Sequence, residues 1–247
     1  MPFFLRHYLT ISDRVVVQDC GSVDGTMEMV RGSGATLIPT GAWGMDERRR
    51  RDDSQEFVEY AAGKCEWVIA VDADEFVLGD FDRAFADGAR THCDVLHTVG
   101  WTMTGDGFPV DDGRQIYQIS PTGIKAGAAK PIIVRPGSKF LWSSGRHFIE
   151  TPETRVAEPL LHLLHYRYLG YEYTKQRNAR NYERSVEKLT AHTCSPNYKG
   201  AESANEVAKH AGKGGNVMDA IARLGYSAES NPFAPHLQNC ARVNPES

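Results

Sequence analysis

Trp67-Val68-Ile69-Ala70-Val71 runs straight into Asp72-Ala73-Asp74-Glu75-Phe76, an apolar segment that ends abruptly in acid. A short apolar run bounded by polar residues predicts a buried strand over 67–71. No other segment restricts the fold as much. A strand covered on both faces belongs inside an α/β layer structure, and in an open parallel sheet ligands bind at the C-terminal ends of the strands. An extended backbone through 72–74 directs Asp72 and Asp74 to one face and Ala73 to the other. Gathered carboxylates repel one another, and burying part of their charge is costly unless something compensates. A divalent cation is the natural compensator, because Mg2+ and Mn2+ take oxygen ligands and share them with substrate phosphates. The plain alternative is an acidic turn capping a helix that starts near Asp80.

The flanking sequence extends the α/β pattern. Pro2 suits the first turn of a helix over Phe3–Ile11. Arg14-Val15-Val16-Val17-Gln18 reads as a strand ending at Asp19. The polar turn Gly21–Thr26 leads into a helix from Thr26 to Arg31, with Asp24 or Thr26 as its cap. Gly34–Pro39 reads as a second strand, which closes a β-α-β unit. Residues 47–63 predict a helix carrying Arg48 to Arg51 on its charged side. A helix at Phe81–Ala89 and a strand at Asp94–Val99 come next. Strands are expected at Arg114–Ile119 and Lys130–Arg135, with Lys139–Trp142 extending the sheet. Residues 160–190 read as helical, and shorter helices are expected at 202–211 and 216–224. With no internal repeat and no linker, one continuous domain is the simplest organisation.

Composition excludes more than it assigns. The chain has 247 residues and a formal net charge of −4, against the broad positive field of a general nucleic-acid binder. No stretch reaches the roughly 18 consecutive apolar residues that span a bilayer, and the apolar part of Met1–His7 is too short for a secretion signal. A cytoplasmic location is the default expectation, with peripheral membrane contact left open. Cys20, Cys65, Cys93, Cys194 and Cys240 form no C-x-x-C pair, which indicates neither a redox dithiol nor a thiolate zinc site.

Motifs in the right order then resemble a known family. Asp19-Cys20-Gly21-Ser22-Val23-Asp24-Gly25-Thr26 resembles the D-x-x-S-x-D-G-T turn of family 2 glycosyltransferases. Trp67–Phe76 resembles the W-V-x-x-x-D-x-D-E-F variant of a branch of that family. Leu164-His165-Tyr166, with Lys175 and Arg180 after it, resembles that branch's H-Y segment and basic helix. The resemblance implies a GT-A fold, a mostly parallel nucleotide-binding sheet flanked by helices and merged with an acceptor-binding region. It places a GT-A-like domain over residues 1–190 and a helical and irregular extension of the same domain over 191–247. These domains usually open with a hydrophobic strand that this sequence lacks, unless the natural chain begins earlier. The implied activity is transfer of a sugar from a nucleoside-diphosphate sugar, usually uridine-linked, to a saccharide or other hydroxyl-bearing acceptor, with inversion.

By the same resemblance Asp19, with Asp24 as the alternative, contacts base or ribose. Asp72 is placed for ribose or metal, and Asp74 for direct ligation of Mn2+ or Mg2+. Glu75 is left between metal binding, orienting a neighbour and capping the element after it. A late histidine often completes the metal site, and His147 and His165 compete for that place, with His162 on the same helical face as His165. A histidine ligand would favour manganese.

The leaving diphosphate needs neutralising, by a metal or by basic side chains. Arg48 and Arg51 on the first basic helix, Lys175, Arg177 and Arg180 on the late helix, and Lys130 are the candidates. Each also reads as an ordinary solvated face. The general base that inversion requires is sought among Asp106, Asp111, Asp112 and Glu150. Two rivals remain. A nucleotidyltransferase would need a glycine-rich basic loop before Asp19, which is absent from this sequence. A non-catalytic binding domain would have to explain the retained Asp72-Asp74-Glu75 cluster.

Overall fold

The structure is a computed structural model, and it describes residues 1–41, 46–125, 130–151, 153–186 and 214–222. It is mixed α/β and divides into two compact units interleaved along the chain. The smaller takes Met1–Trp43, Pro109–Pro121 and Met218–Ser247; the larger takes Gly44–Phe108 and Thr122–Val217.

The smaller unit contains the expected β-α-β element. Helix α1 (Pro2–Ile11) starts on Pro2 and buries Phe3, Phe4, Leu5 and Tyr8. Strand β1 (Val16–Asp19) pairs in parallel with β2 (Thr36–Pro39), and α2 (Thr26–Ser33) makes the crossover between them. Gly25 and Gly34 bound α2 with φ of 78° and 88°, left-handed values that a side chain would resist.

The larger unit is built otherwise than expected. Helix α3 (Glu47–Tyr60) is capped by Asp46, whose carboxylate accepts from the Arg48 and Arg49 amides. The Trp67 segment yields only the short strand β3 (Val68–Ile69), and a second strand, β4 (Glu75–Gly79), comes soon after it. Helix α4 (Phe81–Arg90) leads to β5 (Val95–Gly105). In the smaller unit a one-turn helix, α5 (Ile116–Ile119), stands where a strand was expected, held by a reciprocal Gln115–Gln118 capping box; that local capping outcompetes the β-branched pattern.

Back in the larger unit come β6 (Thr122–Lys125), β7 (Ile133–Val134) and the long β8 (Val156–Leu169). Helix α6 (Tyr171–Val186), the two-residue β9 (Gly215–Asn216) and α7 (Val217–Ala222) complete the elements. Trp142 forms an isolated bridge with Ile149 rather than extending the sheet. The helix expected at 202–211 lies outside the described residues.

The sheet of the larger unit is mostly antiparallel. The β3–β7, β4–β8, β5–β6, β5–β7 and β6–β9 pairings are antiparallel, and β5–β8 is parallel. This corrects the expectation of a mostly parallel sheet. Residues 160–169 are strand rather than helix, because the run Leu160–Leu169 is covered on both faces, and a fully buried strand shows no alternation to separate it from a helix. Lodged between β4 and β5, β8 buries Leu161, Leu163, Leu164, Tyr166 and Leu169. Val58 of α3, Val95, Val134, Phe140 and Trp142 form a core beneath β3, and the Trp142 indole donates to the Pro131 carbonyl at 2.7 Å. Among the described residues no helix is long and apolar enough to cross a membrane.

Candidate functional site

The acidic segment lies between β3 and β4 as a turn, not as the extended rim expected from its sequence. The Glu75 amide donates to the Asp72 carbonyl at 3.0 Å, and Glu75 Oε2 accepts from the Asp72 amide at 3.1 Å. This two-way clasp holds the turn. Asp74 is tied to the next strand as its carbonyl accepts from the Tyr166 amide at 2.8 Å. In register, Glu75 faces His165 across the β4–β8 pairing. Asp72 and Asp74 have separate partners.

Each carboxylate meets a cation. Asp72 Oδ1 accepts from Arg146 at 2.6 Å and also from the Arg50 guanidinium. Asp74 Oδ2 accepts from Arg177 at 2.6 Å and lies 3.5 Å from His165 Nε2. Glu75, fully buried, pairs with the Lys130 ammonium, itself 8% exposed. Burial disfavours the charge on Asp72, yet Arg50, Arg146 and Lys130 outweigh it and hold the carboxyl well below its ordinary value. Asp74 behaves likewise. Desolvation opposes ionisation, and His165 and then Arg177 overcome it, leaving the carboxyl strongly depressed.

These cations arrive from distant parts of the chain. Arg50 comes from α3, whose stripe Glu47, Arg50, Ser54 and Val58 faces the sheet; Glu47 also pairs with Arg50 at 3.3 Å. Arg146 sits in a single turn of 3-10 helix, Ser144–Arg146, and its Nη1 donates to Ser54 Oγ at 3.1 Å. Arg177 lies on α6. Arg146 and its neighbour Gly145 both have left-handed backbone, with φ of 56° and 75°. For arginine that is an uncommon conformation, retained only where the surroundings over-determine it. Arg146 Nε and Arg177 Nη1 are buried with no acceptor among the described residues.

Of the expected basic residues, Arg177 and Lys130 meet the acidic turn and the others fall elsewhere. Arg48 points to solvent, and Arg51 pairs with Asp52 at 2.6 Å. Helical phase alone does not separate Arg50 from Arg51. Lys175 stacks over Tyr171, its ammonium 5.9 Å from the ring centre, and Arg180 is exposed. His162 is paired with Trp101, whose indole donates to its Nδ1 at 3.0 Å. It sits on a strand, so the helical face suggested for it with His165 does not exist. His147 folds back over its own turn, so close that a Cβ on Gly145 would come within 2.8 Å of its Nε2. Burial, then the nearby Lys130 charge, lower its pKa, while Glu47 and Glu75 pull the other way.

Asp19 is 4% exposed in the smaller unit, and its Oδ2 accepts from the Gly21 and Ser22 amides at 2.9 Å each. Burial resists its charge, and the Ser22 and Gly21 hydrogen bonds override that and lower its pKa. Asp24 accepts from the Thr26 amide at 3.2 Å. Asp111, in the same unit, accepts from Arg6 at 2.7 Å, and Asp112 binds Arg114. Both carboxyls are lowered, Asp111 first by the Arg6 hydrogen bond and Asp112 first by that from Arg114, which makes each a weak proton acceptor. Asp106 is exposed just after β5, its backbone packed against Gly170. Glu150 is exposed beside the Trp142–Ile149 bridge.

As a resident metal site this donor set fits poorly. Among the described residues no group of three or more His, Cys, Asp or Glu side chains could hold an ion. The nearest approach is the Asp74–His165 pair, and Asp74 Oδ2 already accepts from Arg177. The compensation expected of a divalent cation is supplied by guanidinium and ammonium groups. Arg50 and Arg146 were the residues that sequence reasoning missed. A clue existed for Arg146 in the glycine before it, which marks a backbone excursion. No family model matches the chain, and no curated protein matches it.

Proposed function

We propose that this chain transfers a sugar from a nucleoside-diphosphate sugar to an acceptor hydroxyl, on a GT-A-like scaffold. The observation that carries the reading is the Asp72–Asp74 turn flanked by two arginines, Arg146 and Arg177, each with a buried N–H that no described acceptor satisfies. Buried donors without acceptors are costly and rare, and phosphate oxygens are the acceptors that guanidinium groups match best. Charge that develops on a departing diphosphate is stabilised by donors already in place.

A thermal-shift screen of nucleoside diphosphates and their sugars, starting with the uridine series, tests the reading. Ligand at a hundred times its Kd stabilises by about 2.7 kcal/mol, or about 5–10 °C for a domain of this size. Flat melting curves across the series, with and without Mn2+, would reject it. Stabilisation without transfer to any acceptor would favour a binding domain, and pyrophosphate release from a nucleoside triphosphate a nucleotidyltransferase.

A further inference from the structure

We infer that this site grips diphosphate with guanidinium groups and without a metal, and that Asp72 and Asp74 are positioning residues for those groups rather than metal ligands. The inference rests on the phosphate-bearing donor proposed above and departs from the metal-dependent chemistry that the D-x-D pattern suggests.

Charge balance is the first support. Asp72, Asp74 and Glu75 are matched by Arg50, Arg146, Arg177 and Lys130. Adding Glu47, which leans on Arg50, makes four carboxylates against four cationic groups before His165 is counted. An ion with two positive charges gains little from such a set. It would have to displace Arg146 from Asp72, and that guanidinium is 7% exposed, so the displaced charge would stay buried.

Geometry is the second support and is independent of charge. The Ser144–Arg146 turn holds two successive left-handed residues to aim one arginine inward. Once there, Arg146 spends Nη1 on Ser54 and Nη2 on Asp72, and keeps Nε without an acceptor. Arg177 spends Nη2 on Asp74 and keeps Nη1. The carboxylates orient the guanidinium planes, and the leftover donors are what an arriving diphosphate can use.

Titration calorimetry of the full chain with inorganic pyrophosphate, in EDTA and in Mn2+, decides the matter. The expected result is the same affinity within about twofold in both buffers. Asp74→Asn, whose amide oxygen can still accept from Arg177 and hold its plane, should retain pyrophosphate binding in EDTA. Arg177→Gln should weaken binding at least about tenfold, with melting temperature recorded for each variant. Arg177→Lys should restore part of the loss.

Binding that appears only with Mn2+, or that Asp74→Asn abolishes in a folded protein, would overturn the inference and leave the proposed transferase standing. Were Asp74→Asn not to fold, the chelator arm and Arg177→Gln would decide alone. No binding of pyrophosphate or uridine diphosphate in either buffer would remove both.

Discussion

Asp74 stores pH sensitivity in one carboxyl. Its pKa is depressed in the folded chain, against burial, by His165 and Arg177. A depressed acid stabilises the fold fully above its unfolded value of about 3.9 and loses that contribution as pH falls towards the folded value. Stability should therefore hold at neutral pH and decline below about pH 4. Asp74→Asn should flatten that decline, as read from urea midpoints across the acid range; an unchanged slope would show that Asp74 is not its source. Glu75 and Lys130 make a different kind of pair, buried on both sides. Removing one partner of a buried pair strands the other, which costs about 3–5 kcal/mol. Lys130→Met should be destabilised by that amount in chemical denaturation, and adding Glu75→Gln should recover part of it.

At the scale of elements, the junction between β8 and α6 controls where Arg177 points. Gly170 makes that junction with φ of 78°, and a Cβ there would lie 2.7 Å from the Asp106 carbonyl carbon. Both sides of the clash are backbone, so neither yields cheaply. Gly170→Ala should cost about 2 kcal/mol, measured by denaturation, and should weaken whatever ligand Arg177 contacts.

The elements also show where sequence patterns speak and where they fall silent. The β-α-β unit was legible because β1, α2 and β2 each carry their own period and their own glycine stops. Helices α1, α3 and α4 were legible from their caps and apolar spacing. Strand β8 was not, because a strand buried on both faces has no polar alternation, and aromatic and histidine residues at 165–168 suit either structure. Strand β4 was hidden by the acid before it, since Glu75 is the first residue of a wholly buried strand. The acidic half of the site was readable as a cluster in sequence. Its basic half was legible only in part: Arg177 and Lys130 stood among the candidates, while Arg50 and Arg146 reach the acids only through long-range pairing.

For the molecule as a whole, the path of the chain matters as much as any element. It leaves the larger unit at Phe108, contributes residues 109–121 to the smaller one, and returns at Thr122. Within the smaller unit that excursion is fastened to α1 by Arg6, which binds Asp111 at 2.7 Å and the Arg114 carbonyl at 2.5 Å, and by the edge-to-face rings of His7 and Tyr117. Arg6 and Asp111 are partly exposed, so solvent screens the ion pair and it contributes little. Arg6→Ala should leave the denaturant midpoint nearly unchanged. A larger loss would mean that the Arg114 carbonyl bond carries the fastening.

The central ladder has a consequence for how the chain is made. Strand β8 pairs Val156 with Val95, Leu169 with Gly105 and His165 with Glu75, so β4 and β5 emerge from the ribosome long before their shared partner does. Closing such wide loops is slow, and strand edges waiting for a partner are prone to aggregate. Nascent chains halted before residue 156 would thus expose the apolar edges of β4 and β5, and the interval between the emergence of β5 and that of β8 would be the one in which a chaperone matters most.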